Sequence, residues 1–393
     1  MLIGIVGKTN TGKSTFFKAA TLANVEISNR PFVTIKPNHG FGFVKVDCPE
    51  IFFKTKCKPK HGYCQNSKRF IPIELLDVAG LVPGAHKGYG LGNQFLNDLN
   101  QADALIHIID ISGSTNEKGE SVQPLSYNPS EDIRFLELEL DMWYLQILKR
   151  GWEKLSKTIQ EEHKEIVKAL AKQLSGLKVT EDILEPLIKN LDKNTTKWSE
   201  SNLQDLASEL RKKTKPMIIA ANKIDVKGAE KNLKQLRKEF PDLIIIPTSA
   251  ESELAIKEAV AHGFLDHVYD KSLNYKKEMT KQQKQALEFI QEEVLGKYEE
   301  GTGVQTILNK IVFEILNYIA VFPVSNSKLT DKDGNILPDA YLILKDSTTL
   351  DLAYKIHTDI GKKFIKAKDM KTGKVIGKEH KLKHLDVIEI ITN

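Results

Sequence analysis

The octet Gly7-Lys8-Thr9-Asn10-Thr11-Gly12-Lys13-Ser14 constrains this chain more than any other stretch. It has the spacing G-x-x-x-x-G-K-S and stands in the context that gives the spacing meaning. Before it lies the apolar run Leu2-Ile3-Gly4-Ile5-Val6, suited to a buried strand, and after it Thr15-Phe16-Phe17-Lys18-Ala19-Ala20, which reads as helix. The glycines let the backbone turn tightly enough for successive N–H groups to face phosphate oxygens at the positive end of that helix. In such a cradle, lined from Gly7 to Thr15, Lys13 bridges the β- and γ-phosphates and Ser14 offers its hydroxyl to Mg2+.

Four further motifs follow in order. Asn29-Arg30-Pro31-Phe32-Val33-Thr34-Ile35-Lys36-Pro37 is too rich in proline for a helix; it reads as an extended loop in which Thr34 can reach Mg2+ when a γ-phosphate is present. The strand Phe70-Ile71-Pro72-Ile73-Glu74-Leu75-Leu76 ends in Asp77-Val78-Ala79-Gly80. Asp77 is placed to hold Mg2+ through water, and Gly80 to give its N–H to the γ-phosphate and swing when that phosphate leaves. Leu81 stands where a water-orienting glutamine would, so His86, on the glycine-rich run that follows, or a bound cation is the candidate for placing attacking water. A strand at Pro216-Met217-Ile218-Ile219-Ala220-Ala221 then delivers Asn222-Lys223-Ile224-Asp225. Asp225 can accept from guanine N1–H and its exocyclic amine, Asn222 braces the loop, and Lys223 packs its stem over the ring. The next strand, Leu243 to Pro247, leads to Thr248-Ser249-Ala250-Glu251, whose backbone can meet the base carbonyl. Ligands bind at this edge of a parallel sheet, and the set points to GTP or GDP.

Between these motifs the pattern changes. From Ser130 to Leu210 apolar residues recur at three or four positions, which predicts a helical insert, drawn as a coiled hairpin with a charged outer face. From Ala320 short strands and turns predominate, with one helix expected over Thr349 to Ile360, as in a small β-grasp domain. The expected organisation is an α/β nucleotide domain in two parts, residues 1–128 and 214–317, interrupted by an insert at 129–213 and followed by a domain at 318–393.

With 41% hydrophobic and 28% charged residues, this chain of 393 can bury a sizeable core. No apolar run approaches the about 18 residues that a membrane span needs, so a cytoplasmic protein without a membrane partner is expected, as a monomer. A net charge of +5 permits contact with RNA without requiring it. Cys48, Cys57 and Cys64 cluster with His61 in a C-x8-C-x3-H-x2-C pattern, which could close a tetrahedral metal site or leave free or paired thiols on an excursion between strands.

These motifs, with Pro31 to Asn38, the run Asp77 to Leu96 and Leu352-Ala353-Tyr354-Lys355-Ile356-His357-Thr358-Asp359 near the C-terminus, resemble the YchF subgroup of Obg-related P-loop GTPases in its archaeal form. The resemblance covers nearly the whole chain. It implies a G domain interrupted by a helical or coiled-coil domain, a C-terminal TGS domain, slow intrinsic hydrolysis and association with ribosomes; Leu81 agrees with that family. Asn10 fills the loop position that in potassium-activated relatives ligates K+. Many members carry an altered base-reading motif and prefer ATP, whereas Asn222-Lys223-Ile224-Asp225 is intact, so GTP is favoured and ATP is the first alternative. A further alternative is an RNA- or ribosome-binding module in which the nucleotide is only a timer.

Overall fold

The computed structural model describes residues 1–22, 38–78, 98–266, 271–331 and 333–393. They form two compact units, one of Met1–Ala19 with Leu75–Val304 and one of Ala20–Glu74 with Gln305–Asn393. In chain order the strands are β1 (Leu2–Val6), β2 (His39–Asp47), β3 (Tyr63–Gln65), β4 (Lys68–Asp77), β5 (Ala104–Asp110), β6 (Met217–Asn222), β7 (Ile244–Pro247), β8 (Tyr318–Val324), β9 (Tyr341–Leu344), β10 (Phe364–Asp369), β11 (Val375–Ile376) and β12 (Val387–Thr392).

The first unit is built on a parallel sheet. β1 pairs with β5 from Ile3↔Ala104 to Val6↔His107, β5 with β6 from Leu105↔Met217 to Asp110↔Asn222, and β6 with β7 from Ile218↔Ile244 to Ala221↔Pro247. Strands covered on both faces need apolar residues throughout, and every residue of β5 and β6 is buried. That register brings the ends of β1, β5, β6 and β7 to one edge. Helix α1 (Lys13–Thr21) leaves that edge directly from the phosphate loop.

Helix α2 (Ser130–Lys149) serves two cores. Its first half buries Ile133, Leu136 and Leu140 in the sheet's cluster with Ile109, Ile219 and Leu233. Its second half buries Tyr144, Leu145 and Leu148 in a separate cluster with α3 (Trp152–Glu161), α4 (Ile166–Gln173), α5 (Glu181–Ile188) and α6 (Glu200–Thr214). The insert is thus helical but not the coiled hairpin that the apolar period suggested. Gly151 takes a left-handed conformation (φ 74°) that ends α2, and His163 (φ 49°) interrupts the run again, so the period continues through three separate helices. Trp152 and Trp198 stack at 5.2 Å across this bundle. Arg211 on α6 is buried and donates to Asp141 (2.7 Å) and Glu137 (3.2 Å) of α2, fixing the first and last helices together. The unit continues with α7 (Ala229–Glu239), α8 (Ala250–Ala261) and α9 (Lys281–Ile290).

In the second unit, β3 and β4 form an antiparallel hairpin whose two turn residues, Asn66 (φ 47°) and Ser67 (φ 57°), both take the positive φ that matches strand twist. A separate sheet has the order β11-β10-β12-β8-β9, with β12 and β8 parallel and the remaining pairs antiparallel. It packs Val321, Ile343, Ala367 and Ile388 against Leu352 of α10 (Thr349–Ile356), which gives a β-grasp arrangement. The single helix expected here is two, because His357 is extended (φ −165°) and its ring accepts from the Asp359 N–H, starting a fresh turn over Thr358–Lys362. Arg69 is fully buried and gives its guanidinium to the carbonyls of Leu337 (3.1 Å) and Pro338 (2.7 Å). No helix among the described residues is long and apolar enough to cross a membrane.

His107 lies inside β5, fully buried, with no partner at Nδ1 among the described residues. Burial, aided by the Lys8 ammonium, lowers its pKa from 6.5 to about 3. Between those values the unfolded chain carries a proton here that the native chain does not, so stability falls as pH falls through that window, by up to about 1.4 kcal/mol per pH unit. His107→Leu should therefore lose less stability than the parent between about pH 7 and about pH 5 in denaturant titrations. The same loss in both proteins would show that His107 does not resist protonation.

Candidate nucleotide site

The phosphate loop is held by what its glycines exclude. A Cβ on Gly7 would meet the Ile108 carbonyl at 2.6 Å, and one on Gly12 (φ 90°) would meet Asn222 Nδ2 at 2.2 Å. The loop therefore lies flat against β5 and β6 in a way only glycine permits. Thr11 is buried and donates from Oγ1 to the Lys8 carbonyl (3.0 Å), closing the turn from within. The first turn of α1 carries no acidic residue, so nothing there opposes an anion. Ser14 is exposed and Thr15 half-buried in that turn. Lys13 forms an ion pair with Asp77 at the end of β4, so two residues from separate motifs meet where phosphate and metal chemistry is expected. Glycine cradle, unopposed helix start, hydroxyl, lysine and carboxylate together fit a Mg2+-bound polyphosphate. Thr34, Gly80 and His86, with Leu81, lie outside the described residues.

At the end of β6, Asn222 is buried and acts in two directions. Its Nδ2 donates to the Thr11 carbonyl (2.8 Å), and its Oδ1 accepts from the Ala250 N–H (3.0 Å). One amide thus fixes the phosphate loop and the start of α8 relative to each other. Ser249 caps α8, accepting from the Ser252 N–H (3.3 Å), while its own N–H goes to the Thr302 carbonyl (2.9 Å). Glu251 is exposed in the first turn of α8. Asp225 is half-buried and lines a cleft of about 680 Å³ with Lys227, Gly228, Phe289 and Tyr298.

Lys223, with φ 64°, sends its ammonium to Asp110 Oδ2 (2.8 Å). Asp110 is the hub that sequence reasoning missed. It ends β5 and is fully buried, and it accepts from the Ser112 N–H (3.0 Å) and from the hydroxyls of Ser114 (2.8 Å) and Thr115 (2.6 Å). Burial alone would push its carboxyl up; the hydrogen bonds from Lys223, Ser112 and Thr115 prevail and hold it below the usual carboxylate range. The signal was an aspartate at a strand end with hydroxyl residues two, four and five positions on, a pattern for side-chain-capped turns.

The polar stretch from Ser112 to Asn128 folds over the phosphate loop. Asn10 (φ 61°) donates from Nδ2 to the Gly119 carbonyl (2.8 Å), and a Cβ on Gly119 would strike Thr9 Oγ1 at 1.8 Å. Lys8 does not extend toward phosphate. Its buried ammonium pairs with Asp132 at the start of α2 (2.7 Å), donates to the Thr115 carbonyl (3.0 Å) and lies 4.0 Å over the Tyr127 ring. Its backbone alone is left for the cradle. Burial pushes the Asp132 carboxyl above its ordinary value despite Lys8 and Tyr127.

Residues 2–138 match the model of the 50S ribosome-binding GTPase domain, residues 220–326 that of the Obg-like GTPase YGR210-like G4 motif-containing domain, and residues 329–392 the TGS domain. The chain is 48% identical to an uncharacterized GTP-binding protein, MJ1332, of Methanocaldococcus jannaschii, with 100% of this chain and 99% of that one covered. It is 31% identical to the ribosome-binding ATPase YchF of Bacillus subtilis over 64% of this chain and 66% of the other. A GTP-binding protein from Pyrococcus horikoshii OT3 has a solved structure that superposes with a TM-score of 0.80 at 36% identity, covering 100% of both chains. With an intact phosphate loop, the asparagine of an N-K-x-D motif tied to it and a C-terminal TGS domain, the chain belongs to the Obg-like P-loop GTPases of the YchF type.

Proposed function

We propose that the chain is a Mg2+-dependent, slowly hydrolysing GTP switch that works in contact with the ribosome. The observation that carries this reading is the Asn222 amide, which makes the phosphate cradle and the base-reading edge one rigid surface. Lys13 would leave Asp77 to bridge the β- and γ-phosphates, and the freed carboxylate would hold metal-bound water beside the Ser14 hydroxyl. Mg2+, when bound, neutralises charge developing on the phosphate oxygens. Thr34 and Gly80 keep the roles their sequence positions give them, as γ-phosphate sensors, and His86 remains the candidate for placing water. Asn10 spends its amide nitrogen on Gly119, which leaves its oxygen to ligate K+. The B. subtilis relative's ribosome-binding name supports ribosome contact here, and its name as an ATPase is the reason to test adenine.

Lys13→Ala or Ser14→Ala should lower single-turnover hydrolysis on the order of a hundredfold to a thousandfold, since each removes a direct phosphate or metal contact. Unchanged turnover would refute the site. The same assay should run faster in K+ than in Na+ salts, and equal rates would dismiss the role of Asn10.

Base choice rests on Asp225, which finds two donors on guanine and none on the matching edge of adenine. Calorimetry should give GTP roughly a thousandfold tighter than ATP, and Asp225→Ala should erase most of that gap. ATP binding as tightly as GTP would show that the cleft overrules the carboxylate. Turnover well below about one per second should rise when ribosomes are added. No rise and no co-sedimentation with ribosomes would remove the ribosome from the reading.

A further inference from the structure

We propose that Cys48, Glu50, Cys57 and Cys64 form a structural zinc site in the second unit. Three pieces of backbone deliver these groups. Cys48 follows β2 directly and its N–H is held by the Ser67 carbonyl (2.9 Å). Glu50 and Cys57 bracket a turn closed by the Thr55 N–H on the Glu50 carbonyl (3.1 Å), and Cys64 lies on β3. Their ligand atoms all lie within 4.8 Å of one another. Cys48 Sγ and Cys57 Sγ are 3.6 Å apart, and Cys64 Sγ is 3.7 Å from Glu50 Oε1.

The Cys48–Cys57 and Cys64–Glu50 separations match the edges of a coordination tetrahedron, and the other ligand atoms lie close enough to be drawn in by an ion. With Zn–S near 2.3 Å and Zn–O near 2.0 Å, tetrahedral angles put ligand atoms about 3.5 to 3.8 Å apart. A disulfide needs sulfurs about 2.05 Å apart, would leave one of the three thiols over, and gives the carboxylate no part. Glu50 is aimed by its other oxygen, which accepts the Cys57 N–H (2.9 Å), as outer bonds commonly fix a metal-binding carboxylate. Three thiolates select a soft cation, and Lys54, Lys56 and Lys58 stand beside Cys57 in the sequence. His61, which the sequence spacing offered as a fourth ligand if the cysteines held a metal, is exposed and stands outside this group; Glu50 takes its place.

Within the same unit the segment that the ion would cross-link also holds a distant loop. The Lys58 and Lys60 N–H groups donate to the carbonyls of Ile336 (2.8 Å) and Pro338 (2.9 Å), and Lys60 pairs with Asp331 (2.7 Å). A metal-pinned turn at 48–64 would therefore stiffen the attachment of residues 331–338.

The full chain, untagged and purified under reducing conditions, should contain zinc at about one ion per chain by elemental analysis. Metal-stripped chain titrated with Co2+ should develop the near-ultraviolet thiolate charge-transfer band and the visible absorption of a tetrahedral site. Cys57→Ser with Cys64→Ser should abolish both signals, Glu50→Gln should weaken Co2+ binding on the order of tenfold or more, and nucleotide affinity should stay unchanged as the control for folding. Stripping should speed tryptic cleavage between Lys54 and Lys60 on the order of tenfold, reversed by Zn2+. Absence of the charge-transfer band in the reduced parent chain would overturn the site, as would a Cys48–Cys57 disulfide found by mass in a zinc-free parent.

Discussion

Everything at the nucleotide edge depends on one buried side-chain amide. Asn222 satisfies both the Thr11 carbonyl and the Ala250 N–H from its position at the end of β6, because its amide carries N–H donors and an acceptor oxygen side by side on one short stem. An aspartate there would lose the donor and leave a carbonyl unpaired in the interior, at a cost of about 1 to 3 kcal/mol. A leucine would lose both. Gly12 is the counterpart of this choice, since any Cβ at that position would occupy the space of the amide nitrogen. The two residues are one device, separated in sequence and joined through the sheet.

Around that device the polar interior is organised by charge. Asp110 and Asp132 are both buried carboxylates, and each is matched by a lysine drawn from a nucleotide motif, Lys223 for the first and Lys8 for the second. Such pairs contribute little net stability but fix geometry strongly, because removing either partner strands the other charge. The ammonium groups of Lys8 and Lys223 are therefore both held by carboxylates of the protein itself.

Residue identities foretold the parts of this arrangement that backbone chemistry dictates. A glycine-rich loop between strand and helix, Asp77 after a buried strand, and Asn222 after another were all legible, because each is a local rule of strand end and turn. Side-chain destinations were less so. Nothing in the sequence says that Lys8 turns inward to Asp132, across more than a hundred residues, or that the polar run from Ser112 folds over the phosphate loop. Apolar period marked the insert but not its joints, since Gly151 and His163 break helices without breaking the stripe. In the cysteine cluster, the spacing left a metal site that included His61 open beside free or paired thiols; the turn after Cys48 brings Glu50 to the three sulfurs and leaves His61 outside the group.

Helix α2 begins with Asp132 clasped to the phosphate loop and ends inside the core of the insert, with no break over its 20 residues. At 1.5 Å per residue it is a shaft of about 30 Å, so a tilt of about 5° at the clasp displaces the far end by about 3 Å. The core beside the phosphate loop and the core around Trp152 and Trp198 are thus joined by one continuous rod.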